Sequence, residues 1–269
     1  MVKISVGTAG WDYKDWKGTF YPKRLNNRQN LVFYSNFFDI IEINSSFYNL
    51  PSNEMVNNWA NRVPQNFRFI IKVWQEITHN LGDIEINTRV YKFFQRFEPL
   101  KGKILGFLFQ FPPRFKYSEN HIEKIMNLVN LLPKNTESLY IFELRDDSWF
   151  IPENLTGIID GNKFILGTTY KPGIIPYYLP NQKYYYVRLI GDRELTVFNR
   201  IQREQQESLQ DLFQNISIFK QKPDIYEIFI IVNNHFQGFA PESANLIKKR
   251  LNLSFKPLNQ QKSLVEYFK

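Results

Sequence analysis

Leu139-Tyr-Ile-Phe-Glu143-Leu-Arg145 is a short apolar run that closes on two charges. Its β-branched and aromatic residues read as a strand. Successive strand side chains point to opposite faces, so Ile141, Glu143 and Arg145 share one face. A charge buried in a strand is costly unless it is paired. Yet the same device recurs in Asp39-Ile-Ile-Glu42-Ile-Asn44, Arg68-Phe-Ile-Ile-Lys72-Val-Trp74 and Tyr184-Tyr-Tyr-Val-Arg188-Leu-Ile190. A fifth run, Glu227-Ile-Phe-Ile-Ile-Val-Asn233-Asn234, begins with its charge and ends in a polar pair. Charges placed late in several apolar strands point to strand ends that meet around one polar site.

Further apolar runs at Ile4–Thr8, Ile104–Phe109 and Phe164–Thr168 complete a set of eight with Asp39–Asn44, Arg68–Trp74, Leu139–Arg145, Tyr184–Ile190 and Ile228–Asn233. Most are apolar on both faces, as a covered parallel sheet requires. Helix-period stretches lie between them. Leu31, Tyr34 and Phe38 recur at helical spacing, as do Met55, Val56, Trp59 and Ala60. Val90, Phe93, Phe94 and Phe97 form an i, i+3, i+4, i+7 stripe. Ile122, Ile125, Met126, Val129 and Leu132 follow Ser118, a suitable N-cap. Leu209, Leu212, Phe213, Ile216 and Phe219 form another stripe. Pro241 opens the last, ahead of Ala244, Leu246, Ile247 and Leu251. All of these stripes are expected in the core. The pattern predicts an α/β fold, a single parallel eight-stranded (β/α)8 TIM-like barrel. An open doubly wound sheet is the competing plan, but neither G-x-G-x-x-G nor G-x-x-x-x-G-K-[ST] is present. Crossovers at Thr169–Lys183, rich in Pro and Gly, and at Pro152–Asp160 are expected to be irregular or short. Residues 1–269 read as one domain, with 252–269 as a C-terminal tail packed on it.

Composition narrows the chemistry. The 269 residues, 43% hydrophobic, suffice for a sizeable core, and 25 Phe with 15 Tyr make it ring-rich. The absence of Cys removes disulfides, thiolate metal sites and Cys nucleophiles. Three His, at 79, 121 and 235, do not suggest a His-rich zinc site, and no nucleotide cofactor is indicated; carboxylate-bound Mg²⁺ stays open. No membrane span of ~20 apolar residues and no signal peptide at Met1–Gly7 are evident, so a cytoplasmic protein is expected. The net charge of +8 suits a partner bearing phosphates or carboxylates, nucleic acid among them, although no basic tail is present.

Alternation places Glu42, Lys72, Glu143, Arg145 and Arg188 inside the barrel near its C-terminal mouth, where barrel enzymes carry their catalytic groups. Asn44, Gln110, Asn233 and Thr168 are expected beside them. The loops that follow the strands supply Trp11 after Gly7-Thr-Ala-Gly10, where small residues permit close backbone approach, and also Tyr48, His79, Trp149 and Asn234. His121 falls on a surface helix. Two carboxylates against three cations leave one positive charge spare, room for one anionic ligand group. The plain alternative is an ion-pair network that only ties strands together. Trp11 and Trp149 are as well suited to packing their own loops as to stacking on a ligand.

These motifs resemble the YecE-like family of uncharacterised proteins. The matching pieces are Gly7-Thr-Ala-Gly-Trp11 with Phe20-Tyr-Pro22, Glu42-Ile-Asn-Ser-Ser-Phe-Tyr48, and Phe67-Arg-Phe69 with Lys72 and Ile77-Thr-His79. Gln110-Phe-Pro-Pro113, Glu143-Leu-Arg145 with Ser148-Trp149, and Asn233-Asn234 with Gly238 continue it along nearly the whole chain. The resemblance implies a (β/α)8 barrel and no established reaction. The family pattern usually has His where this chain has Asp146, and again where it has Ile190. A His-based mechanism is therefore not expected here.

Three functions fit. An enzyme would take a small anionic or phosphorylated substrate, with Glu42 or Glu143 as general acid or base and Lys72, Arg145 and Arg188 stabilising negative charge. Its reaction class, and the oligomeric state, stay open. Asn44, Gln110 and Asn233 would orient hydroxyls, and Trp11, Tyr48 and Trp149 would stack on a ring. Glycoside hydrolysis is a subcase that needs a carboxyl of raised pKa. A nucleic-acid-binding or -processing protein is the second reading, and a barrel that binds a ligand without turning it over is the third.

Overall fold

A computed structural model describes residues 2–258. Strands β1 (Lys3–Ala9), β2 (Ile40–Ile43), β3 (Arg68–Lys72), β4 (Ile104–Gln110), β5 (Leu139–Glu143), β6 (Phe164–Tyr170), β7 (Tyr184–Leu189) and β8 (Glu227–Val232) form a closed parallel barrel in sequence order. Closure runs from Lys3 opposite Glu227 to Thr8 opposite Val232. Helix α1 (Asn30–Tyr34) links β1 to β2, and α2 (Asn53–Arg62) links β2 to β3. Helices α3 (Gln75–Thr78) and α4 (Ile86–Phe97) precede β4, α5 (Glu119–Leu131) precedes β5, and α6 (Pro152–Leu155) precedes β6. Helix α7 (Gln206–Phe219) leads into β8, and α8 (Asn234–Gln237) and α9 (Ala240–Arg250) follow it. The irregular crossovers fall where Pro and Gly punctuate the chain: α6 is a single turn, and 171–183 holds no helix.

Side chains on the outer face of the barrel pack on the helices, and those on the inner face pack on one another. Ile40, Ile70, Leu108, Ile141, Ile165, Tyr186, Phe229 and Ile231 fill the interior as one cluster. Outside, Phe93 and Phe94 of α4 meet Phe107 of β4 at ring separations of 6.1 and 4.6 Å. Capping follows the sequence signals: Ser118 accepts from the His121 amide and Ser52 from the Met55 amide. Three members of the helical stripes are not core. Met55, Met126 and Leu246 are 47%, 41% and 46% exposed. Each adjoins a truly buried residue, Val56, Ile125 or Ile247. At 3.6 residues per turn a neighbour in sequence lies about 100° round the helix, off the buried stripe.

The early charge of β8 also finds its place. Glu227 sits at the N-terminal end of the barrel, bound by Ser5 Oγ at 2.7 Å, Arg68 at 2.6 and 2.9 Å, and Lys3 at 3.1 Å. Of the expected tail, Leu253 and Leu258 pack against the core and Lys256 accepts from Asn245. Residues 259–269 lie outside the described residues. Among the described residues no helix is long and apolar enough to cross a membrane.

Candidate functional site

The four late-strand charges lie on the inner face, as alternation requires. Glu42 stands opposite Ala9, Glu143 opposite Gln110, Lys72 opposite Leu108, and Arg188 between Thr169 and Ile231. Arg188 is the hub. Its Nε and Nη2 donate to the two Glu42 oxygens at 2.8 and 2.6 Å, and its Nη1 donates to Glu143 Oε2 at 2.5 Å. Arg145, just beyond β5, grips Glu143 Oε1 through Nε at 2.7 Å and Nη2 at 2.6 Å. Tyr186 Oη completes the set by donating to Glu42 Oε2. Every carboxylate oxygen of the pair therefore has a donor.

Electrostatics follow from this geometry. Burial by itself would raise the Glu143 pKa; Arg188, Arg145 and Lys72 outweigh it and hold the carboxyl down at about 2. Burial likewise opposes the charge on Arg188, and Glu143 and Glu42 more than reverse that, so it stays firmly protonated. Lys72 differs from both. No carboxylate lies within 4.0 Å of its Nζ among the described residues, and the ammonium rests over the Phe47 ring, 3.7 Å from the centroid. Burial first, then repulsion from Arg188, bring its pKa down to about 7, with Glu143 and Glu42 pulling weakly the other way. Lys72 is thus the spare cation of the set.

The neighbouring positions sort into two groups. Trp11 and Asn44 line one cavity of about 590 Å³ at the β1–β2 end of the mouth, with Tyr13, Arg28, Trp59 and Arg62. Trp11 meets Trp59 edge to face at 5.5 Å. Tyr48 is 57% exposed at the rim. His79 lines a second, smaller cavity, and its ring meets Phe47 at 5.4 Å. Gln110 is buried beside Glu143, where its Nε2 donates to the Phe111 carbonyl. Asn233 is half-buried and caps α8 by accepting from the His235 amide.

Other loop residues serve the scaffold. Trp149 is fully buried, stacked on Phe115 at 5.7 Å, and its Nε1 donates to the Phe115 carbonyl at 2.7 Å. Its ring faces the core, so the expected role in stacking on a ligand gives way to the packing alternative. Asn234 is buried too. Its Oδ1 accepts from Trp16 Nε1 and the Ala240 amide, which welds the β1 loop to α9 rather than facing a ligand. Gly7 leaves space for β2, not for a ligand, since a Cβ there would stand 2.2 Å from the Ile40 carbonyl oxygen. Thr168 points outward, to the Tyr177 carbonyl. Its neighbour Thr169 takes the inward place opposite Arg188, and its buried Oγ1 has no hydrogen-bond partner. Asp146, where the family pattern has His, accepts from the Ser148 amide and caps a short turn. Ile190 is buried.

Sequence reasoning overlooked Tyr186, Thr169 and Phe47 as site residues. The alternation that found Arg188 extends to Tyr186 two residues earlier, and one more residue of β6 would have chosen Thr169 over Thr168. Phe47 carried no signal, because a ring under an ammonium looks like any core aromatic. Among the described residues no three His, Asp or Glu side chains form a metal-binding group. A groove of about 740 Å³ between α4 and the start of β5 is lined by Val90, Tyr91, Phe94 and Phe107, on the outside of the barrel and away from these charges.

Comparison with known proteins agrees with this architecture. The family profile described as "Protein of unknown function DUF72" matches residues 5–265. The UPF0759 protein YunF of Bacillus subtilis is 23% identical over 95% of this chain and 97% of its own length. The UPF0759 protein YecE of Escherichia coli K12 is 27% identical over 55% of this chain and 50% of its own. A DUF72 family protein of Thermotoga maritima superposes with a TM-score of 0.75 at 25% identity, covering 93% of this chain and 99% of that one. A GH5 cellulase from an Icelandic hot spring isolate shares the barrel alone, with a TM-score of 0.54 at 12% identity over 97% of this chain and 91% of that one. With its profile matched almost from end to end and its barrel shared, the chain belongs to the DUF72 family, the UPF0759 proteins that include YunF and YecE.

Proposed function

We propose that the C-terminal mouth of the barrel binds a small anionic substrate and turns it over, with Lys72 as the proton-transfer group. The observation that carries this reading is Lys72 itself: a buried amine with no carboxylate partner among the described residues, whose pKa is lowered to about 7. A base poised near the working pH is what proton transfer requires. It also stands in a field of net positive charge, suited to an anion.

The sequence suggested a carboxylate for the acid–base role. The geometry favours Lys72, because Glu42 and Glu143 have their oxygens committed to Arg188, Arg145 and Tyr186. In this reading they hold the guanidinium groups in place, and Arg145 with the free Thr169 hydroxyl helps to orient the substrate. Glycoside hydrolysis is disfavoured on the same ground. Its acid needs a raised pKa, and Glu143 is held at about 2.

Limited acetylation across a pH series, read by peptide mass spectrometry, tests the proposal. Lys72 is expected to gain reactivity with a midpoint near 7 and to be protected by anionic metabolites, and Lys72→Met should abolish turnover of any substrate so identified. A midpoint near the ordinary lysine value of about 10.4 would falsify the proposal.

A further inference from the structure

The second cavity at the mouth has an unusual lining. It measures about 210 Å³ and is bounded by Thr78 at the end of α3, His79 and Gly82 just beyond it, Arg114 after β4, and His121 and Lys124 on α5. Two fixed cations and two imidazoles thus meet with no carboxylate in the wall. None of the four forms an ion pair within 4.0 Å among the described residues. Pockets for whole drug-sized ligands run to about 300–1,000 Å³, so this one suits a single group. His121 Nδ1–H donates to the Lys116 carbonyl at 2.6 Å, which fixes the ring, and in the imidazolium form its Nε2 donates in turn to an anion. Lys124 lies along the backbone at Gly82, its Nζ 3.7 Å from where a Cβ there would stand.

The basin also adjoins Lys72. The Phe47 ring carries the Lys72 ammonium on its face and touches His79 edge to face, so a single ring separates the two places. Burial chiefly, and then the charges of Arg114, Lys72 and Arg145, lower the His79 pKa, which marks one continuous positive field.

We infer that this basin is a phosphate subsite, and that the molecule handled at Lys72 is a small phosphorylated metabolite whose phosphoryl group lies between His79, Arg114, His121 and Lys124. The inference rests on the proposed role of the mouth and adds the substrate class. Arginine and lysine give charge-assisted bonds to phosphate oxygens, and an imidazole can donate a further one.

The three His of the chain provide the test. The imidazole signals of the full chain are followed by NMR during titration with inorganic phosphate at constant ionic strength. His79 and His121 are expected to shift and saturate together, and His235, packed on Phe198 elsewhere, is expected to stay still. Arg114→Ala and, independently, Lys124→Ala should each weaken the response about tenfold. Both residues lie at the surface or half-buried. Unmoved His79 and His121 under phosphate that still protects Lys72 from acetylation would overturn the subsite and spare the mouth reading. Saturating shifts with an ordinary Lys72 midpoint would do the reverse. A single-stranded oligonucleotide that moves the same two signals at far lower concentration than phosphate would overturn the small-molecule assignment in favour of a polymer backbone.

Discussion

Lys72 costs the fold stability, and that cost has a definite sign. Its pKa is about 7 in the folded chain and close to 10.4 when unfolded. Below pH 7 both states are protonated and the full penalty is present. Between the two values the unfolded chain holds more protons, so stability rises with pH. Lys72→Met keeps an unbranched side chain against Phe47 and removes the buried charge. It should raise stability at neutral pH by about 2 kcal/mol, or roughly 4–8 °C in melting temperature. The gain should shrink as pH climbs from 7 toward about 10.4, where the parent regains what the buried charge costs it. Thermal melts of both proteins across pH check this, and a variant less stable than its parent at pH 7 would show that Lys72 is a structural cation. Sequence disclosed that one of three cations was spare. It could not disclose which, because that depends on where the two Arg forks point.

Strand interiors were legible where the period of two could be applied; loops were not, because no period governs them. Alternation sorted Glu42, Lys72, Glu143 and Arg188 correctly, and it failed at Thr168 only because β6 runs two residues further than its apolar run suggested. Trp149 and Asn234 looked like site residues because they follow strands at the mouth. Both are buried struts instead, and a polar atom that caps a helix reads in sequence like one that waits for a ligand. The element after β5 supplies a check. Trp149 closes the loop against Phe115, with its indole hydrogen bonded to that residue's carbonyl. Trp149→Ala should therefore cost about 3–5 kcal/mol, while Trp149→Phe, which loses the bond and part of the ring, should cost less. Urea unfolding measures both. Little destabilisation by the Ala variant, joined to lost retention of an anionic ligand, would return Trp149 to the mouth.

At the scale of the molecule, the barrel is a hydrophobic cylinder with an ionic cluster at each end, and the two clusters differ in kind. At the N-terminal end Glu227 has three partners, so losing one still leaves it satisfied. At the C-terminal end Arg188 alone joins Glu42 to Glu143. Removing it leaves two fully buried carboxylates side by side, and breaking a buried pair in this way typically costs about 3–5 kcal/mol. Arg68→Met should cost about 1 kcal/mol, because Lys3 and Ser5 still hold Glu227. The pH dependence separates the two ends further. In the parent chain the depressed pKa of Glu143 gives stability that is complete above about 4.3 and is lost as pH falls toward 2. Without Arg188, Glu143 loses the largest of the charges that offset its burial, so its carboxyl pKa rises and the folded state takes up that proton at higher pH. Acidification then relieves the variant while it weakens the parent, and their stability curves should converge as pH drops through 5 toward 4. Arg68→Met should instead run below the parent by a small margin at neutral pH. Denaturant midpoints at a series of pH values would decide it: an Arg188→Met deficit that stayed constant, or widened, on acidification would mean that Glu143 does not depend on Arg188 for its charge.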